Sequence, residues 1–125
     1  MRTWPGVSVE RTEALAAVVC DAGSLIHLDE LSSLDLLLDF AYVLVPSSVW
    51  SEVTRHRPRA LAADGGHLRH VVVEGEAPPH LTALARSLVL GPGECEAIHL
   101  AIQQPGLILL TDDAAARLAA EALQA

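Results

Sequence analysis

Apolar runs of strand length alternate with segments of helical spacing along this chain, which predicts an α/β protein with a mainly parallel sheet of about four strands. The clearest run is LILL, residues 107 to 110, opened by the breaker pair Pro105-Gly106 and followed by the helix former AAARLAAEALQA. With 125 residues the chain is long enough to bury one real core. Only four residues are aromatic, so that core is built from Ala, Val, Leu and Ile.

In chain order, residues 1 to 13 read as a tail or extra element, and residues 14 to 125 as the domain. LAAVVC (15–20) reads as the first strand, with a helical continuation from Glu10 as the rival. Asp21-Ala22-Gly23 turns into SLIHLDELSSLDLLLDFA, which has helical spacing and a restart at Ser32-Ser33. YVLV (42–45) is a second strand stopped by Pro46, and SSVWSEVTRH is a helix with a serine cap. RHRPR and ADGG mark a loop region, and HVVVEG holds a short third strand. HLTALARSLVL is a helix closed by Gly91, and ECEAIHLAIQQ is the next, with Pro92 in its first turn. LILL is the fourth strand.

Composition excludes several classes. No apolar run is long enough to span a bilayer, and MRTWPGVSVERTE does not resemble a secretory signal. Cys20 and Cys95 sit in apolar patterns without metal-type spacing, as reduced core thiols of a cytoplasmic protein do. The net charge is -8 and all eight cations are arginine. Without lysine there is no P-loop and no Schiff-base chemistry. Response-regulator receiver domains, which pair strand-end acids with a lysine, are disfavoured for the same reason. The six histidines form no ligand spacing.

The acids are more informative. In open α/β sheets, sites form outside the carboxyl ends of the strands. Asp21 follows the first strand directly, and Asp112 and Asp113 follow the fourth. Glu52 lies in the first turns of the helix leaving the second strand, and Glu94 in the first turn of the helix leading towards the fourth. Helix caps and first-turn acids that complement the dipole are the commoner use of such residues. Asp21 resists that account, because a carboxylate against so apolar a strand is costly unless partnered. Glu94 shares a helical face with Ala97, Ile98 and Ala101, whereas Glu96 lies nearly opposite and reads as solvated. A carboxylate cluster with no lysine calls for a hard cation, Mg2+ or Mn2+, as in phosphodiester cleavage. One aspartate of the pair then caps the last helix and the other is free to bind the ion.

From about Val18 to about Leu123 the chain resembles a PIN domain, the fold of the VapC-type ribonuclease toxins. The resemblance rests on VVCDAGSLIHL, VLVPSSVWSEV, GPGECEAIHLA and LILLTDDAAARLA, in that order and spacing. It points to a subgroup with a GE-x-EAI helix and a DD-x-x-AR end. Relatives of that subgroup continue with another strand and more helix, so a form shortened at the carboxyl terminus is expected here.

The resemblance implies a three-layer α/β/α fold and an acidic quartet of Asp21, Glu52, Glu94 and an aspartate of the final pair. Asp113 fits the threonine-x-aspartate spacing from Thr111, and Asp112 is a possible fifth ligand. It also implies an Mg2+ or Mn2+ ion, an RNA substrate, a homodimer and a co-encoded antitoxin. RHRPR, with Arg55, Arg57 and Arg59, is the one cationic cluster and the expected RNA contact. The competing expectation is a catalytically silent PIN-like module that binds a protein partner.

Overall fold

The structure, a computed structural model, describes residues 3–4, 7–8, 17–62 and 67–123. The expected tail over 1–13, the domain boundary at 14, the start of the LAAVVC strand with its helical rival from Glu10, and the ADGG loop lie outside these residues. The exceptions are two short strands, β1 (Thr3–Trp4) and β2 (Val7–Ser8), which pair antiparallel.

Four apolar runs form one sheet: β3 (Val18–Cys20), β4 (Val43–Pro46), β5 (Leu68–Val71) and β6 (Ile108–Leu110). Its order is β5-β4-β3-β6, and all three pairings are parallel. Because β3 and β4 lie inside the sheet with both faces covered, every one of their residues is buried and none alternates with a polar one. The edge strand β5 differs, with Leu68 buried and Arg69 and His70 exposed.

This strand runs two residues earlier than HVVVEG suggests. Its register pairs Leu68 with Val43 and Val71 with Pro46, where β4 ends, so later valines have no strand to pair with. Val72 is accordingly 70% exposed. Apolarity located the segment; the partner strand set its limits.

The helices are α1 (Ala22–Glu30), α2 (Ser47–His56), α3 (Pro58–Ala62), α4 (Pro79–Leu88), α5 (Pro92–Gln103) and α6 (Ala114–Leu123). Ser32, at φ 54°, ends the first helical segment, and the chain restarts as a 3-10 helix over Leu34–Asp39. The three-residue period suits it, since Leu37 is buried while Leu36 and Leu38 face outward. The short helix α3 replaces part of the loop expected at RHRPR. Pro58 supplies a pre-set φ at its start, and fully buried Ala60 anchors it. The turn closing α4 is made by Val89, in the left-handed region at φ 55°, two residues ahead of Gly91.

Alternation places Val18, Cys20, Val43 and Val45 on one face, against Leu25, Val49, Val53 and Ala60 of α1, α2 and α3. Val19 and Leu44 face the other way, onto Ala97, Leu100 and Ala101 of α5. Beyond α5, Ile98 packs with Leu81 of α4 and with Ala116 and Ala119 of α6. The result is the expected three-layer α/β/α arrangement. Each fully buried Val, Leu or Ile side chain contributes on the order of 1.5–3 kcal/mol. Both cysteines are free thiols, and among the described residues no helix is long and apolar enough to cross a membrane.

The chain adds β4 and then β5 on one side of β3, and β6 on the other. The reversal falls between β3 and β6, and parallel sheets open their binding crevice at such a point.

Candidate active site

Asp21 leaves β3 in extended conformation and caps α1. Its Oδ1 accepts the N–H of Ser24 at 2.9 Å, and its Oδ2 accepts the hydroxyl of Thr111, which follows β6. Only 1% of the residue is exposed. Two donors and the positive end of α1 offset the desolvation that makes a buried carboxylate costly. Ser24 adds a second tie to β6 by donating its hydroxyl to the Leu110 carbonyl at 3.2 Å.

Thr111 also accepts, through the same oxygen, the N–H of Asp113 at 3.1 Å. Asp113 caps α6, its Oδ1 accepting the N–H of Ala115 at 3.3 Å. The capping aspartate is therefore the one on the threonine-x-aspartate spacing. Its neighbour Asp112 takes another partner, with Oδ2 lying 2.6 Å from Nδ1 of His27. Asp112 sits over Gly23, where a Cβ would overlap its carboxylate. Absence of a side chain at position 23 makes room for it.

Glu94 stands in the first turn of α5 and turns back to accept the N–H of Gly91 at 2.7 Å. Burial raises the pKa of its carboxyl above the ordinary glutamate value. The Gly91 hydrogen bond acts in the opposite direction, and the charges of Asp21, Asp113 and Glu52 raise it further. The charges of three other carboxylates thus reach Glu94. Acids from the ends of β3 and β6 and from the helices α2 and α5 lie within electrostatic reach of one side chain. Asp112 is not among them.

Glu96 lies on the other side of α5 from Glu94, but it is not solvated. Its Oε1 accepts the N–H of Ser48 at 2.9 Å and so caps α2 from another helix. The expected serine cap is absent: Pro46 occupies the N-cap position, and Ser47 directs its hydroxyl to Nε2 of His70, 2.9 Å away. A proline at the N-cap has no side-chain acceptor to offer, and that was the available signal that a cap must come from elsewhere.

The three arginines are placed differently from one another. Arg55 lines a cleft between α2 and the start of α5, together with Glu52, Trp50 and Gly93. Arg57 donates to Oδ2 of Asp29 in α1 at 2.7 Å. Arg59 is exposed on α3.

Whether these residues suit a metal ion can be judged from their donors. Carboxylate oxygens with no cation acting on Glu94 are the set that a hard divalent ion prefers. Among the described residues, no three His, Cys, Asp or Glu side chains are gathered closely enough to hold an ion by themselves. The donor type fits a hard ion such as Mg2+, but the spacing of the described side chains does not gather three of them around one.

The fold is that of an α/β protein with a parallel sheet, and Asp21 and Asp113 follow the two strands that flank its switch point. The model of a family described as a PIN domain (DUF3368) matches residues 17–125, and the chain belongs to that family. PIN domains are generally nucleases, and typically use a divalent metal. No match was found among the curated proteins or the solved structures.

Proposed function

We propose that this protein is a metal-dependent endoribonuclease of toxin–antitoxin type, hydrolysing RNA phosphodiester bonds at Asp21, Glu52, Glu94 and Asp113. The observation that carries the reading is the tie of Asp21 through the Thr111 hydroxyl to the backbone of Asp113, which fixes two carboxylates at neighbouring strand ends, with the charges of both and of Glu52 reaching Glu94. Asp21, Glu94 and Asp113 would hold Mg2+ or Mn2+, with Asp112 as a further ligand. Such an ion activates water and stabilises charge on the phosphoryl oxygens.

The chain's own part is orientation. Ser24 and Thr111 fix the carboxylate of Asp21, and Thr111 fixes the backbone of Asp113 at the same time. Glu94 is held by Gly91 in the first turn of α5, and Glu52, which lines the cleft beside α2, acts on it through its charge. Arg55, Arg57 and Arg59 supply the cationic contact to RNA phosphates, with Arg55 on the cleft wall itself. An acidic protein is a poor general binder of nucleic acid, but bound divalent ions offset the local negative charge. The setting we infer is cytoplasmic, with the chain as a homodimer silenced by a co-encoded antitoxin.

A second reading is a catalytically silent PIN module that binds a protein partner. It is favoured by the lack of a ready-made three-ligand cluster among the described residues. Structured RNA incubated with the purified protein separates the two. The enzyme cuts with Mg2+ or Mn2+ and stops with EDTA. Cleavage that persists in EDTA would exclude the carboxylate–metal mechanism, and no cleavage with either ion would leave the silent module.

A further inference from the structure

We propose that the cleft between α2 and the start of α5 is a stacking subsite for one unpaired base of the RNA strand. Trp50 forms its wall and Arg55 takes the adjoining phosphate. The strand's identity as RNA rests on the nuclease reading above; the subsite itself rests on separate observations.

The cleft is open and of about 590 Å³, within the usual range for a small-ligand site. Its lining mixes Trp50 with the hydroxyl-bearing Ser48 and Ser51, an arrangement suited to the face and the edge of a base, while the Thr54 hydroxyl donates to the Trp50 carbonyl at 2.7 Å. One face of the indole is held by a second ring. His70 stacks on it with ring centroids 4.8 Å apart and planes 6° from parallel, and Ser47 in turn holds His70. A ring whose plane is already fixed loses little freedom when another ring stacks on it.

The buried core is aliphatic, and Trp50, like Phe40 and Tyr42, is only partly buried at its edge. Base-on-aromatic stacking contributes about 1–3 kcal/mol per base, which corresponds to roughly 5- to 150-fold in affinity.

Neighbouring groups decide which part of the nucleotide enters. The N–H of Ser48 is taken by Glu96, and that of Gly91 by Glu94, so these two donors are closed to a phosphate. Glu52 in the lining repels an anion as well. The cleft therefore takes the base, and the phosphate is left to Arg55. Gly93 packs against Val49, where a Cβ would meet Cγ2 at 3.1 Å, and this close approach sets the start of α5 beside α2. Glu52 and the residue after Gly93, Glu94, join the cleft to the acidic site. A base inside a duplex is already stacked on its neighbours and does not reach Trp50, so the subsite selects single strands.

The test uses the full chain carrying Trp4→Phe, in which Trp50 is the sole tryptophan. Its emission is followed in EDTA while a short single-stranded RNA is added, with binding read independently from the anisotropy of an end-labelled copy. Single-stranded RNA should quench the emission, and the same RNA annealed to its complement should not. Trp50→Leu should weaken binding by roughly 5- to 150-fold, and Trp50→Phe by much less. Binding without quenching, no binding at all, or equal affinity of Trp50→Leu overturns the subsite. Cleavage with Mn2+, assayed in parallel, keeps the two readings apart. Cutting without quenching removes the subsite and leaves the nuclease, while quenching without cutting does the reverse.

Discussion

The hydroxyl of Thr111 donates to the carboxylate of Asp21, joining the loop after the last strand to the end of the first strand of the parallel sheet, 90 positions away in sequence. The same oxygen accepts the N–H of Asp113. One side chain thus sets the spacing between two of the four acids. Thr111→Val keeps the shape and removes both bonds, leaving a buried carboxylate oxygen without its donor. Loss of a hydrogen bond to a charged group costs about 1.5–3 kcal/mol. Urea denaturation should show a loss of that size, and Thr111→Ser should restore most of it. Equal stability of the valine variant would remove Thr111 from its organising role.

Glu94 gives the metal-free protein a pH signature. Its pKa in the fold lies above the ordinary value, so the folded state holds the proton more tightly than the unfolded state. Stability from this group therefore falls as pH rises from the ordinary glutamate range through the raised value, and the penalty persists above it. Glu94→Gln removes the titration and preserves an oxygen for the Gly91 N–H. The metal-free variant should melt higher than the parent at neutral pH, and the difference should shrink in acid. Parallel melting curves across pH would contradict the electrostatic account.

Metal should act in the opposite sense. A ligand that binds only the folded state at ~100 times its dissociation constant stabilises by about 2.7 kcal/mol. Mg2+ or Mn2+ should raise the melting temperature of the parent protein, and Asp113→Asn, which retains an oxygen to cap α6, should forfeit most of the gain. A full gain in that variant would assign Asp113 to capping alone.

Arg55 and Arg57 should differ in their effect on stability, because only Arg57 also holds Asp29. Arg55→Ala should weaken RNA binding and flatten its salt dependence by about one phosphate contact, with little effect on stability. Arg57→Ala breaks the bond to Asp29, a partly exposed pair, and should cost less than about 1 kcal/mol of stability. An unchanged salt slope for Arg55→Ala would send the strand by another route.

Val89 is a β-branched residue in the left-handed region and is 86% exposed. It therefore carries backbone strain with almost no burial to offset it. Val89→Gly should stabilise the protein by about 1 kcal/mol, read as a rise of a few degrees in the melting temperature. A lower melting temperature would mean that the side chain holds more of the apolar surface of α4 than its exposure indicates.

Much of this arrangement was legible in the residues. LAAVVC and LILL announce strands because nothing polar interrupts them, but only the first is buried: LILL forms the edge strand β6, with Ile108 46% exposed, because no strand lies beyond it. A carboxylate set directly after the first draws notice because burial makes it costly. Helical period alone separated Glu94 from Glu96. What it could not supply was anything fixed by a second element. Glu96 caps α2 across 48 positions, Asp112 turns to His27, and Trp50 stacks on His70. None of these pairs shares a spacing rule. The limits of β5 were hidden for the same reason, since they are set by where β4 stops.

The strand order has a consequence for the moment at which such a protein becomes active. During translation β3, β4 and β5 leave the ribosome in succession and can pair as they emerge. The other edge of β3 has no partner until Ile108 to Leu110 arrive, and Asp21 has no Thr111 until one residue later. A nascent chain arrested before Ile108 lacks Asp113 and bares an apolar strand edge. The sheet and its acidic site are thus completed in the same late step. A chain halted short of that step holds Asp21 without Thr111, and so lacks the tie on which the proposed activity depends.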